Sequence, residues 1–116
     1  MKYLYLLYAD ESRTPAPGTP EMNQILEGYG RFFQEVNGAG AMRGGDPVQG
    51  SSSSTTVRVR DGAVERSRGP FSRGGEQVIG FYVLECESED EAIAYAAKIP
   101  AASHGAVEVR PILAQE

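Results

Sequence analysis

Two short segments are apolar on both faces, and they constrain the fold more than anything else in the chain. Tyr3 to Ala9 places Leu4, Leu6 and Tyr8 on one side and Tyr3, Tyr5 and Leu7 on the other. Val78 to Cys86 places Val78, Gly80, Tyr82, Leu84 and Cys86 on one side and Ile79, Phe81 and Val83 on the other. Runs of this length and composition are strands rather than helices. Both faces of each want cover, and Val78 to Cys86 reads as a central strand.

The remaining elements supply part of the cover. Thr19 is a good N-cap and Pro20 suits a first helical position. Met22, Ile25, Leu26, Tyr29, Phe32, Phe33 and Val36 then recur at helical spacing, which predicts an amphipathic helix over Glu21 to Val36, ended by "NGAG". Ala41 to Val48 reads as a short strand weakened by Gly44 and Gly45. After the polar run "QGSSSSTT", the stretch "TTVRVRDGAVERS" reads as a hairpin turning at Asp61-Gly62, with its arginines on the solvent face. "SEDE" at Ser88 to Glu91 is a capping box that opens a second helix over Glu89 to Lys98, stopped by Pro100. Ala106 to Ile112 reads as the last strand.

Without the hairpin the order is βαββαβ, the ferredoxin-like plan of an α+β domain, here spanning residues 1–116. Its two helices cover only one face of a four-stranded antiparallel sheet. Two copies pairing their helix-free faces would cover the other, so a sheet-to-sheet homodimer is expected; a monomer with an open groove is the alternative.

Composition narrows the function. The 116-residue chain has a net charge of −5, against the basic footprint of a nucleic-acid binder. No apolar run approaches the length of a membrane span, and the expectation is a cytoplasmic protein. The one cysteine, Cys86, has no internal disulfide partner, and no Cys/His cluster has zinc spacing. Neither a metal site nor a cofactor motif is present. The charge is uneven: residues 55–75 carry five Arg against Asp61 and Glu65, a balance of +3, whereas residues 76–116 have a balance of −6.

The segments "MKYLYLLYADE", "TTVRVRDG", "GPF", "GFYVLE", "SEDEAIAYAAKIPAA" and "GAVEVRPI" follow in an order that resembles YCII-related, DGPF-type proteins. The resemblance implies a ferredoxin-like dimeric α/β-barrel. It also implies a role linked to transcription, since such proteins are often encoded beside alternative sigma factors; a regulatory protein partner is therefore the alternative to a small-molecule ligand. Departures are specific. The family motif Asp-Gly-Pro-Phe is Arg68-Gly69-Pro70-Phe71 here. Related enzymes carry a His on the first helix and an Asp directly before a Pro near the end of the second. Here Glu21 to Val36 has no His, and Ile99 precedes Pro100. Acid-base chemistry of that type does not transfer, and no catalytic residue is assigned.

Four residues are candidates for a ligand site. Glu108 and Arg110 share one strand face, two residues apart. They either pair with each other or with a neighbouring strand, or form a carboxylate-binding or acid-base couple inside a dimer cleft. His104, the only histidine, is expected in a loop after the second helix, either exposed or at the rim of a cleft. Asp10 lies near a strand end, as do Arg43 and Asp46. Tyr3, Tyr5, Tyr8, Tyr29 and Tyr82 either line a pocket or pack in the core. Cys86 is expected as a packed core residue. The stretch "RSRGPFSRGG" admits a phosphate cradle, but no Gly-Lys-Ser/Thr and no following helix support a P-loop. The expectation is a mobile basic loop over Arg66 to Gly75, fixed only where Phe71 tucks under the sheet.

Overall fold

The computed structural model describes residues 1–114. Six strands and three α-helices follow in the order β1 (Lys2–Asp10), α1 (Pro20–Gly38), β2 (Met42–Pro47), β3 (Thr55–Arg60), β4 (Ala63–Arg68), β5 (Glu76–Glu85), α2 (Glu89–Ala96), α3 (Ala101–His104) and β6 (Ala106–Pro111), with 3₁₀ turns at Glu11–Arg13 and Ser51–Ser53. The main sheet has the order β2-β5-β1-β6 and is antiparallel throughout. This α+β arrangement is compatible with a ferredoxin-like plan. The two doubly apolar segments do occupy its centre. β3 and β4 form a separate two-stranded sheet.

Local chemistry sets the helix ends. Thr19 Oγ1 accepts from Met22 N at 3.2 Å with Pro20 in the first turn. Ser88 Oγ accepts from Glu91 N at 3.1 Å, and Glu91 Oε1 accepts from Glu87 N at 3.1 Å, one residue before the cap. The core lies between the helices and one sheet face: Tyr3, Tyr5, Leu7, Leu84 and Cys86 pack against Phe32, Val36, Ala92, Ile99 and Ala101. The Phe32 and Tyr82 rings meet at 5.0 Å, tilted by 52°. The apolar stripe of α1 is wider than its buried part, since Leu26 and Phe33 face solvent. Among the described residues no helix is long and apolar enough to cross a membrane.

Several expectations are corrected. The register of β5 shifts between Leu7/Tyr8, so Val78 pairs with Tyr8 on the helix-free face and Ile79 turns to the core cluster. A bulge places two neighbours against one partner, which simple alternation does not anticipate. The second helix ends at Ala96, and Pro100 caps a separate short helix, so His104 is the last residue of α3 rather than a loop residue. A proline is tolerated there because an N-terminal N–H has no helical acceptor. Arg66 to Arg68 belong to β4, so the basic loop begins at Gly69. Phe71 does not tuck under the sheet: it is 73% exposed, with the Arg58 guanidinium 5.0 Å from its ring centroid. Hydrogen bonds hold the loop instead. Gln77 Nε2 donates to the Ser72 and Gly74 carbonyls at 2.9 and 2.8 Å, and Arg73 donates to the Arg68 carbonyl at 3.3 Å.

Candidate functional site

The cross-strand register defines the face that the helices leave open. Leu4 pairs with Val83 and Arg110, Leu6 with Phe81 and Glu108, and Tyr8 with Val78 and Ala106. Opposed residues in antiparallel strands share a face. The helix-free face is therefore an apolar stripe of Leu4, Leu6, Tyr8, Phe81 and Val83, all half-buried, with Glu108 and Arg110 along the β6 edge. On the opposite edge Asp46 pairs with Phe81. Asp10 and Glu76 pair at the end of β1 and continue the same face.

Glu108 and Arg110 form an ion pair with side chains 39% and 67% exposed. They pair with each other, one of the two arrangements expected of them, and the register puts both on the open face. An ion pair half in water contributes little to stability. It leaves a carboxylate and a guanidinium able to exchange partners with a ligand, the former accepting and the latter donating hydrogen bonds.

Asp10 is separate from that pair. Its Oδ1 accepts from Ser12 N at 3.0 Å and Ser12 Oγ at 2.7 Å, and these bonds hold its carboxyl below the usual carboxylate range. It lines a recess of about 550 Å³ at the end of β1, with Glu11, Ser51, Arg68 and Arg73. Glu11 is the residue the sequence did not single out there. Its carboxylate accepts from the Ser51 hydroxyl and from Ser51 N at 2.7 Å, which lowers its pKa from the ordinary 4.5. A contact between residues forty apart in the chain, with α1 and β2 between them, has no periodic signature. His104 is exposed, next to the start of β6, and is not brought onto the Glu108–Arg110 pair by any hydrogen bond among the described residues. Arg43 donates to the Gly40 and Met42 carbonyls and serves the turn before β2.

Of the tyrosines, only Tyr8 stands on the open face. Tyr3 and Tyr5 are buried in the core, and Tyr29 and Tyr82 pack against it. Burial pushes the Tyr29 hydroxyl up to about 12. The Tyr5 hydroxyl donates to the Ala92 carbonyl at 2.9 Å and lies 3.5 Å from Cys86 Sγ; burial raises its pKa well above the ordinary 10.0. Cys86 is 2% exposed, and burial raises its thiol too, as expected of a packed cysteine. A second groove of about 660 Å³ runs beside β6 on the helix side, lined mainly by alanines and valines. Among the described residues no cluster of His, Cys, Asp and Glu could hold a metal ion.

Comparison with known proteins gives this geometry a context. The chain is 32% identical over 114 residues to an uncharacterized protein of Rhizobium meliloti (strain 1021), covering 97% of this chain and 92% of that one. Its fold is similar to that of a 5-chloro-2-hydroxyhydroquinone dehydrochlorinase from Burkholderia phenoliruptrix AC1100, solved in complex with 2,5-dihydroxybenzoquinone. The TM-score is 0.52 at 15% identity, covering 97% of this chain and 94% of the other, a likeness of fold alone. The YCII-related domain matches residues 1–115, and the chain belongs to that family.

Proposed function

We propose that two copies of this protein pair their open sheet faces and bind a small, ring-shaped organic molecule in the cleft between them. The observation that carries this reading is the open face itself: an apolar stripe across β1 and β5, bordered by a solvent-accessible carboxylate and guanidinium on β6. A face of this composition left in water would be an unusual feature of a monomer. Leu6, Tyr8 and Phe81 supply the apolar walls, Glu108 accepts from ligand hydroxyls, and Arg110 donates to ligand carbonyl or carboxylate oxygens. The dehydrochlorinase of similar fold holds a dihydroxybenzoquinone, which makes hydroxylated quinones and benzoates the first compounds to test. Binding is the function proposed; a proton transfer, if the bound molecule undergoes one, falls to Glu108.

Sedimentation at micromolar concentration should give a dimer, and a 12.5 kDa species alone would defeat the proposal. In thermal-shift titrations with hydroxyquinones and hydroxybenzoates, a ligand should raise the melting temperature of the native protein. Glu108→Ala should weaken that shift while changing unliganded stability by less than about 0.5 kcal/mol, because the pair is half solvated. An undiminished shift in the variant would place binding elsewhere.

A further inference from the structure

Beyond its base, where Arg68 lines the Asp10 recess, the hairpin β3–β4 forms a sheet of its own. It has no strand partner in the main sheet. Bonds at its base, Gly69 N to the Ser54 carbonyl at 2.8 Å and Thr56 Oγ1 to the Gly69 carbonyl at 2.9 Å, tie it only to its own flanks. The radius of gyration is 16.1 Å, where a compact domain of this length has about 13 Å. The turn itself is well formed: Asp61 and Gly62 have φ of 52° and 77°, the left-handed pair that a two-residue hairpin favours.

An isolated two-stranded hairpin is marginal in water, and this one leaves one face uncovered. Val59 pairs with Val64 and Val57 with Arg66, so the three valines share a side. They are 59%, 62% and 59% exposed respectively. Alternation puts Arg58 and Arg60 on one side and the valines on the other, but among the described residues nothing covers the valines. Arg66 and Arg68 lie on the same side as the valines, through their pairing with Val57 and Thr55. That side is thus an apolar patch flanked by cations.

The open face of the main sheet is its counterpart. It is an apolar stripe that ends in Asp10 and Glu76, with Asp46 on its edge. The hairpin, residues 55–68, carries four Arg against Asp61 and Glu65, a balance of +2 in a chain of −5, so the remainder is −7. Like charges in the arm and unlike charges in the body disfavour stacking of arms on each other and favour arm on body.

We infer that the hairpin is an exchanged arm: it crosses to the second copy, lays its valines on the acidic end of that copy's open face, and brings Arg66 to the end of its ligand cleft, while Arg68 at the arm's base stays in its own chain's Asp10 recess. This rests on the dimer proposed above and adds to it that the cleft is closed by the partner's arm. A two-fold axis makes the exchange reciprocal, so both uncovered surfaces are used twice.

The test uses thiol reactivity of the full-length protein. Cys86 is buried, so a cysteine introduced in the arm is the reactive thiol. Val59→Cys should be labelled by a maleimide at least about tenfold more slowly at dimer-forming concentration than at a dilution that gives monomer. Ala63→Cys, on the opposite face of the hairpin, should differ by less than about twofold. Separately, Val59→Asp with Val64→Asp should raise the dimer dissociation constant by at least about tenfold with an unchanged circular dichroism spectrum. A wild-type protein that is monomeric throughout overturns the cleft and the arm together. A wild-type dimer in which Val59→Cys reacts equally fast at both concentrations, or only slows when a separate acidic protein is added, overturns the arm alone.

Discussion

Tyr5→Phe removes one oxygen from the centre of the molecule, and its consequences can be worked out with their sign. Tyr5 is fully buried, and its hydroxyl donates to the Ala92 carbonyl at 2.9 Å, joining the central strand to α2. A net buried hydrogen bond of this kind contributes about 1 kcal/mol. The ring is retained, so no cavity larger than the oxygen is formed. At neutral pH the variant should therefore lose about 1 kcal/mol, read as a fall of roughly 3–6 °C in melting temperature for a domain of this size.

At high pH the order should reverse. The folded-state pKa of Tyr5 is raised by burial, and next by its contact with Cys86. An acid whose pKa is higher in the folded state holds its proton more tightly there. Its contribution is fully present below the unfolded value near 10 and is lost as pH rises above it, by about 1.4 kcal/mol per pH unit. Phe lacks that loss. The wild-type advantage of about 1 kcal/mol should vanish somewhat less than one unit above pH 10. Urea denaturation of both proteins from pH 7 to pH 11 measures this directly. The other tyrosines titrate in both proteins and cancel in the difference. Parallel curves over the whole range would refute the buried hydroxyl, and a neutral-pH difference below about 0.3 kcal/mol would refute the hydrogen bond.

Three further outcomes are expected. Phe71→Ala should cost less than about 1 kcal/mol in chemical denaturation, because the ring is 73% exposed and its contact is the Arg58 guanidinium; a loss of the 3–5 kcal/mol typical of a buried Phe would mean the ring is covered in solution. Gly105→Ala should destabilise by about 1–3 kcal/mol, since a Cβ there would overlap the Tyr8 carbonyl oxygen and crowd Ala9 Cα at 3.1 Å, both backbone of the central strand; a melting temperature equal to wild type would contradict the approach of β6 to β1. The Glu11 carboxylate, held down by Ser51, should keep its tie above the ordinary 4.5 and lose it only as pH falls through its lower folded value; an amide shift of Ser51 with a midpoint at or above 4.5 would disprove the tether.

The parts of the fold that rest on local or periodic chemistry were legible before any coordinates. Thr19 and Ser88 announce the two long helices, Asp61-Gly62 announces the turn, and the doubly apolar runs announce the central strands. What was not legible depends on events with no period. A register shift beside Gly80 exchanges the roles of Val78 and Ile79, and Gly80 itself lets Asp46 O approach to 3.1 Å of where a Cβ would stand. Phe71 is expected under the sheet, yet its loop, tied to β5 through Gln77, leaves the ring exposed beside Arg58 of the hairpin. Hydrophobicity says that a side chain gains from cover; it does not say whether its own chain supplies any.

The same distinction governs the candidate site. Glu108 and Arg110 were recognisable as a pair because they stand two apart on one strand, and alternation alone puts them on one face. That the face is the open one follows from Leu6 and Leu4 lying opposite them, and on the other side Phe81 and Val83. Among the described residues none bonds to Glu108 beyond Arg110, and no hydrogen bond brings His104 to it. A ligand on this face would meet one carboxylate, one guanidinium and apolar walls, with the remaining side open. Any selectivity beyond that must come from groups that approach across the open side. In a symmetric pair those groups are the same residues arriving from the opposite direction, together with whatever the projecting hairpin carries over. In the proposed dimer the chemistry of the site would belong to the pair, and one sequence names its components without naming its substrate.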